Sequence, residues 1–164
     1  KGFGVDELAR CLEGWGITNY LVGIDGEMRA RGVKPGGPPW VVALEKPNRG
    51  VREVMGVMEL GDAAIATSGD YRHWVDVAGQ SYAHTMNPAT GAPLSNPLAA
   101  VTVIAANCIL ADAWATALMV LGEIEGPRLA QERGMDALFV LRDGEQFKEI
   151  SIVGGKRQAQ IETR

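Results

Sequence analysis

The chain of 164 residues is 46% hydrophobic and 22% charged, with a net charge of −4, a composition that suits a globular domain rather than a disordered or fibrous chain. The acidic balance leaves no basic footprint for nucleic acid, and no run approaches the ~18 consecutive apolar residues of a membrane span. This length can bury most of its surface in one core, so one domain is the natural count. The first residue is Lys1 rather than Met, so the chain is expected to be an excised piece that carries no record of its parent's targeting signals.

In chain order, Val5, Leu8, Leu12 and Trp15 recur at helical spacing and predict a first helix over 5–15, stopped by Gly16. Cys11 on that helix and Cys108 near a strand end form no metal or disulfide pattern and are expected as two buried thiols, neither a nucleophile. Tyr20 to Ile24, then Asp25-Gly26, then a segment from Met28 read as a hairpin. The loop from Lys34 to Pro39 is stiffened by three prolines, and Trp40 to Leu44 resumes a strand. Val54 to Leu60 and Ala63 to Ser68 follow as strands, the latter delivering Thr67, Ser68, Gly69 and Asp70 at its end. Such a terminus can offer backbone amides to a phosphate, or be an ordinary tight turn. Trp74 to Val77 and Gln80 to Ala83 flank Ala78-Gly79 as a hairpin that leads into His84.

From His84 the sequence reads H-T-M-N-P-A-T-G-A-P-L, with Asn87-Pro88, Thr90-Gly91 and Pro93 making a rigid turn against which a ligand could lie. His84 itself suits either a packed strand end or proton transfer. The β-branched run within Ala100 to Ala105 suits a buried strand, although so short a run does not exclude a helix. Ile109 to Leu121 predicts a helix closed by Gly122, and Pro127 to Arg133 a short second one closed by Gly134. On the first of these, Asp112 and Thr116 stand four apart and share a face. Two hard oxygen donors so placed are either half of a Mg²⁺ site or a solvated face or cap. Ala137 to Leu141 and Phe147 to Val153 form a last hairpin around Asp143-Gly144. The domain is expected over residues 1–155, with 156–164 a polar, disordered tail.

Several of these runs coincide in order and spacing with one known pattern. H-T-M-N-P-A-T-G-A-P from His84, V-T-V-I-A from Val101 and A-D-A-W-A-T-A-L-M-V-L-G from Ala111, preceded by K-G-F-G-V-D at Lys1 and A-T-S-G-D-Y at Ala66, closely resemble the ApbE family of FAD:protein FMN transferases. The resemblance covers residues 1 to about 153 and implies the C-terminal part of such a protein. It implies an α+β fold with a mixed, largely antiparallel sheet and flanking helices. The implied activity is Mg²⁺-dependent transfer of FMN from FAD to a threonine hydroxyl of an acceptor protein, with release of AMP. Residue by residue, Asp112 and Thr116 match the metal ligands, Lys1 and Met86 match contacts to the flavin nucleotide, and His84 matches the histidine near the phosphates. The glycine-rich turn at Gly23 and Gly26 matches one that lies near the flavin. A family position that lends a backbone oxygen to the metal would precede Lys1.

Three residues depart from the pattern. Ala115 stands where some members carry a further metal-binding aspartate, and Asn87 and Ala89 replace the Asp and Arg of the D-P-R-T-G version. With the family's N-terminal part absent, this piece alone is expected to bind FAD weakly or not at all. Two other activities fit the same motifs: an FAD pyrophosphatase giving FMN and AMP, and a non-catalytic flavin-binding module or thiamine-pathway accessory. Members are commonly exported and lipid-anchored, so the parent is expected at the periplasmic face of the inner membrane.

Overall fold

The structure, a computed structural model, describes residues 1–72, 74–77, 79–144 and 146–159. Two interleaved units make up the chain, one of residues 1–46, 52–67 and 102–115, the other of 47–51, 68–101 and 116–164.

The first unit opens with α1 (Gly2–Gly14). Its end is a Schellman motif: Gly16, at φ 75°, donates its N–H to the Glu13 carbonyl, and Ile17 reaches back to Leu12. The buried side of α1 is Gly2, Val5, Asp6 and Ala9, which corrects the expected stripe. Leu8 lies off that side and Trp15, beyond the helix end, is 82% exposed, while Cys11, two residues and so roughly 200° around from Ala9, is an exposed thiol rather than a buried one.

Next come β1 (Tyr20–Ile24) and β2 (Glu27–Arg31), joined by Asp25-Gly26 at φ 50° and 102°. Both central residues at positive φ are what a tight primed turn demands. The register pairs Ile24 with Glu27 and Gly23 with Met28, and a Cβ on Gly23 would stand 2.7 Å from Met28 Cγ, so the two strands meet more closely than a side chain there allows. β3 (Trp40–Glu45) and β4 (Val54–Leu60) form a separate antiparallel ribbon, and β5 (Ala64–Gly69) pairs antiparallel with β2. Ala30, Val42, Leu60 and Ile65 make one buried cluster of this unit and Val5, Ala64 and Cys108 another. Each large aliphatic side chain so buried contributes about 1.5–3 kcal/mol.

The second unit contains the hairpin of β6 (Trp74–Val77) and β7 (Gln80–Ala83); Ala78, expected in its turn, lies outside the described residues. β8 (Leu98–Ala105) begins with six buried residues in succession, as a strand covered on both faces must. α2 (Cys108–Glu132) is broken at Gly122, whose φ of 82° and ψ of −172° are not helical, so the expected stop is present and a second helical segment follows it. The break frees the Met119 carbonyl, which accepts the Asn96 side-chain amide at 3.0 Å. Phe139 of β9 (Asp136–Asp143) packs so near Gly126 that a Cβ there would lie 3.0 Å from its ring. β9 pairs antiparallel with β10 (Gln146–Val153), and β10 with β11 (Lys156–Arg157). Residues 156–157 of the expected tail are therefore paired, and 160–164 lie outside the described residues.

Hydrogen-bonded order runs β1-β2-β5-β8 for the first unit and β8-β9-β10-β11 for the second, with β5, β8 and α2 contributing residues to both. The result is the α+β class with a largely antiparallel sheet.

Candidate functional site

Within the first unit, the sequence KGFGVD places three groups by backbone constraint. Gly2 sits against the start of α2 so tightly that a Cβ would lie 2.7 Å from the Asp112 Cβ. That closeness lets the Gly2 N–H donate to Asp112 Oδ2 at 2.7 Å. The Lys1 ammonium donates to Glu27 Oε1 at 2.9 Å and lies 3.4 Å from Asp25 Oδ2. Burial would lower the Lys1 pKa, but Glu27 and then Asp25 outweigh it and hold the amine above its ordinary value. Glu27 is 3% exposed, and its other oxygen, Oε2, is buried with no hydrogen-bond partner among the described residues.

Four residues after Gly2, Asp6 fixes the N-terminus of α2. It is 4% exposed; Oδ1 accepts from the Cys108 N–H and from Arg29, and Oδ2 from the Ile109 N–H. The Asn107 side chain accepts the Leu110 N–H, so the first amides of the helix are satisfied. Burial raises the Asp6 pKa, yet these two amides and the Arg29 guanidinium together hold it below the usual carboxylate range. Cys108, buried beside Asp6, Asp112 and Glu27, has its thiol pushed up to about 12, mainly by burial and then by those carboxylates. It is not a nucleophile.

Within the second unit, Thr116 is exposed on α2 one turn beyond Asp112, and its hydroxyl is 2.9 Å from Ser68 Oγ. The run at 67–70, open in sequence to phosphate binding or to an ordinary tight turn, is engaged at its end: the Asp70 N–H donates to the Ala99 carbonyl, and the Asp70 carboxylate takes two bonds from Arg142 at 2.9 and 2.5 Å. His84 is exposed at the end of β7, where the rigid turn begins. That turn is held by Gly91 N–H donating to Asn87 O, Asn87 N–H to Ala92 O and Leu94 N–H to Thr85 O. Met86 bridges to Pro93 across it and stays 49% exposed. Asn87 Oδ1 accepts the Ala89 N–H at 2.9 Å, an Asx turn that an aspartate would make equally well. Ala115, the other notable departure, is fully buried.

The structure thus brings Gly2 and Asp112 together, pairs Lys1 with Glu27, and seats His84 and Met86 on one rigid turn. Sequence reasoning missed Asp6, Glu27 and Arg142, whose partners are 102, 26 and 72 positions away, and it named Ser68 without its pairing to Thr116, 48 positions on. No periodicity reports such pairs, and only the position of Asp6 inside KGFGVD was a signal. Among the described residues no group of three His, Cys, Asp or Glu makes a ready metal cage. Mg²⁺ does not need one, since it is commonly bound through one or two carboxylates plus waters and phosphates.

Known proteins share this chain's sequence and fold. The family model "ApbE family" matches residues 1–139. A protein of Vibrio cholerae named FAD:protein FMN transferase is 44% identical over 149 residues, covering 91% of this chain and 45% of its own. A Haemophilus influenzae protein of the same name is 40% identical over 148 residues, covering 90% and 43%. Among solved structures, "Flavin Transferase ApbE from Vibrio cholerae" superposes with a TM-score of 0.77 at 42% identity, covering 92% of this chain and 48% of that one. "Pseudomonas stutzeri flavinyl transferase ApbE, apo form" gives 0.79 at 41%, covering 94% and 47%. The chain spans less than half the length of these relatives. On the family match, these identities and the shared fold, the chain belongs to the ApbE family.

Proposed function

We propose that this chain forms the C-terminal part of an enzyme that moves FMN from FAD to a threonine hydroxyl of an acceptor protein and releases AMP. The observation that carries the reading is the fixing of Asp112 Oδ2 by the Gly2 amide; the resemblance pairs this carboxylate with Thr116, four residues on in the sequence. A partly exposed carboxylate and a hydroxyl are the hard, sparse donor set that suits Mg²⁺, so these two residues would hold it. When bound, such an ion neutralises pyrophosphate charge and polarises phosphorus.

The remaining work belongs to the chain's own side chains. In the transfer, the threonine oxygen bonds to the FMN-side phosphorus, the phosphoanhydride bond breaks, and AMP departs with the electron pair. Exposed His84, at the edge of a rigid turn, takes the hydroxyl proton. The Lys1 ammonium supplies positive charge to the flavin nucleotide and Met86 an apolar contact. Positioning and charge stabilisation dominate chemistry of this kind.

The test is flavin transfer by the full-length protein, wild type beside Asp112→Ala, with FAD, Mg²⁺ and an acceptor, read by mass spectrometry. Wild type should add one FMN mass to the acceptor, and the variant should lose roughly a hundredfold or more in rate. FAD consumed with no mass gain would instead favour a pyrophosphatase, and FAD bound but not consumed a flavin-binding module. Export and a lipid anchor on the parent are part of the proposal on the resemblance alone, and cell fractionation checks them.

A further inference from the structure

Glu27 is a carboxylate that the fold alone does not explain. It is 3% exposed at the first position of β2, beside a unit core built from Val5, Ala64 and Cys108 with Ile24 packed on it. One oxygen holds the Lys1 ammonium at 2.9 Å, and the other is buried with no hydrogen-bond partner among the described residues. Taking a carboxylate out of water is costly unless it is fully paired, and a buried acceptor left unsatisfied adds to that cost. A single ion pair to a lysine whose side chain is 47% exposed does not offset that. An apolar residue would stabilise this position better, so what Glu27 does is hold Lys1.

The surrounding backbone makes the hold stiff. The Asp25-Gly26 turn pins the first residue of β2 opposite Ile24, and Gly23 leaves no slack against Met28. Lys1 is also tied at its backbone end, where Gly2 is clamped between Cys108 and Asp112. A lysine has four rotatable side-chain bonds and about 2 kcal/mol of rotamer entropy to lose on binding. Fixing its ammonium in advance removes much of that loss. We propose that Glu27 is a positioning residue that pre-orients the Lys1 ammonium toward the phosphate-bearing flavin nucleotide. The inference rests on the reading of Lys1 as a contact to FAD.

The experiment measures kcat and KM for FAD in the full-length protein bearing Glu27→Gln, Lys1→Met, both together, or Glu27→Asp, beside thermal unfolding of each. Glu27→Gln should raise KM for FAD about tenfold with kcat within about twofold. Lys1→Met should do the same, and the double variant should be no worse than either single one, because both remove one device. Glu27→Asp, which keeps the charge, should recover part of the loss and also serves if the Gln variant fails to fold. Independent multiplication of the two effects would overturn the proposal. So would a Glu27→Gln protein that melts lower but keeps its KM for FAD, which marks a merely structural residue. If Lys1→Met raises KM and Glu27→Gln does not, only the positioning role falls. If Lys1→Met leaves KM unchanged, the reading of Lys1 as a contact falls and takes the proposal with it.

Discussion

Replacing Asp6 by alanine should be the most damaging single change in α1, and the structure sets its size. The carboxylate accepts the Cys108 and Ile109 amides at 3.0 and 2.8 Å and the Arg29 guanidinium at 2.8 Å, all from a side chain 5% exposed. Loss of a capping side chain costs about 1–2 kcal/mol. Removing one partner of a buried ion pair costs about 3–5 kcal/mol, discounted here because Arg29 is 26% exposed and retains Glu13 at 4.0 Å. The sum is about 3–4 kcal/mol, equivalent to a melting shift of roughly 6–16 °C for a chain of this size. Because the folded-state pKa of Asp6 is depressed, its contribution is fully present above the ordinary carboxylate pKa of about 3.9 and fades as pH falls through the lower folded value. Urea unfolding of wild type and Asp6→Ala at pH 7 and pH 3 reads both effects: the gap should be about 3–4 kcal/mol at pH 7 and shrink at pH 3. A gap under about 1 kcal/mol at pH 7, or one that widens in acid, would refute the reasoning.

Two further outcomes follow from the same kind of accounting. Cys11 is exposed, whereas the Cys108 thiol is buried and pushed up to about 12, so iodoacetamide at pH 8 should label one thiol of the native chain and both in urea; rapid native labelling of Cys108, read by peptide mass, would contradict the burial. Arg142→Lys replaces two parallel bonds to Asp70 by a point charge and should cost about 1–2 kcal/mol in a thermal melt, with an unchanged melt showing that the fork geometry contributes nothing.

The local signals were legible because each is a short-range rule. Asp25-Gly26 announced the β1/β2 turn, Gly122 the helix break, and the β-branched run the buried strand β8. The α1 stripe was misread for a physical reason. Leu8 and Trp15 satisfy helical periodicity, yet beside Val5, which the stripe did name, the buried side is built of Gly2, Asp6 and Ala9, small or charged residues that a stripe of large apolar side chains overlooks. For the candidate site, spacing alone could not separate Asp112 and Thr116 from a solvated face, and it is the resemblance of whole motifs that points to a metal role for them. The residues that hold those side chains, Gly2 on Asp112, Ser68 on Thr116 and Glu27 on Lys1, are joined through the fold across long stretches of chain. Hydrophobic periodicity carries no trace of these pairings.

The break in α2 has an evolutionary side. With φ at 82° and ψ at −172°, Gly122 occupies a region of backbone space that is essentially closed to every residue with a Cβ. A glycine codon mutated by a single base that changes the residue therefore offers no graded path, since each replacement meets the same steric wall rather than a series of tolerable ones. A lineage that abandons this glycine must run the helix straight through or lengthen the connection. The position is a switch in sequence space, kept or lost whole.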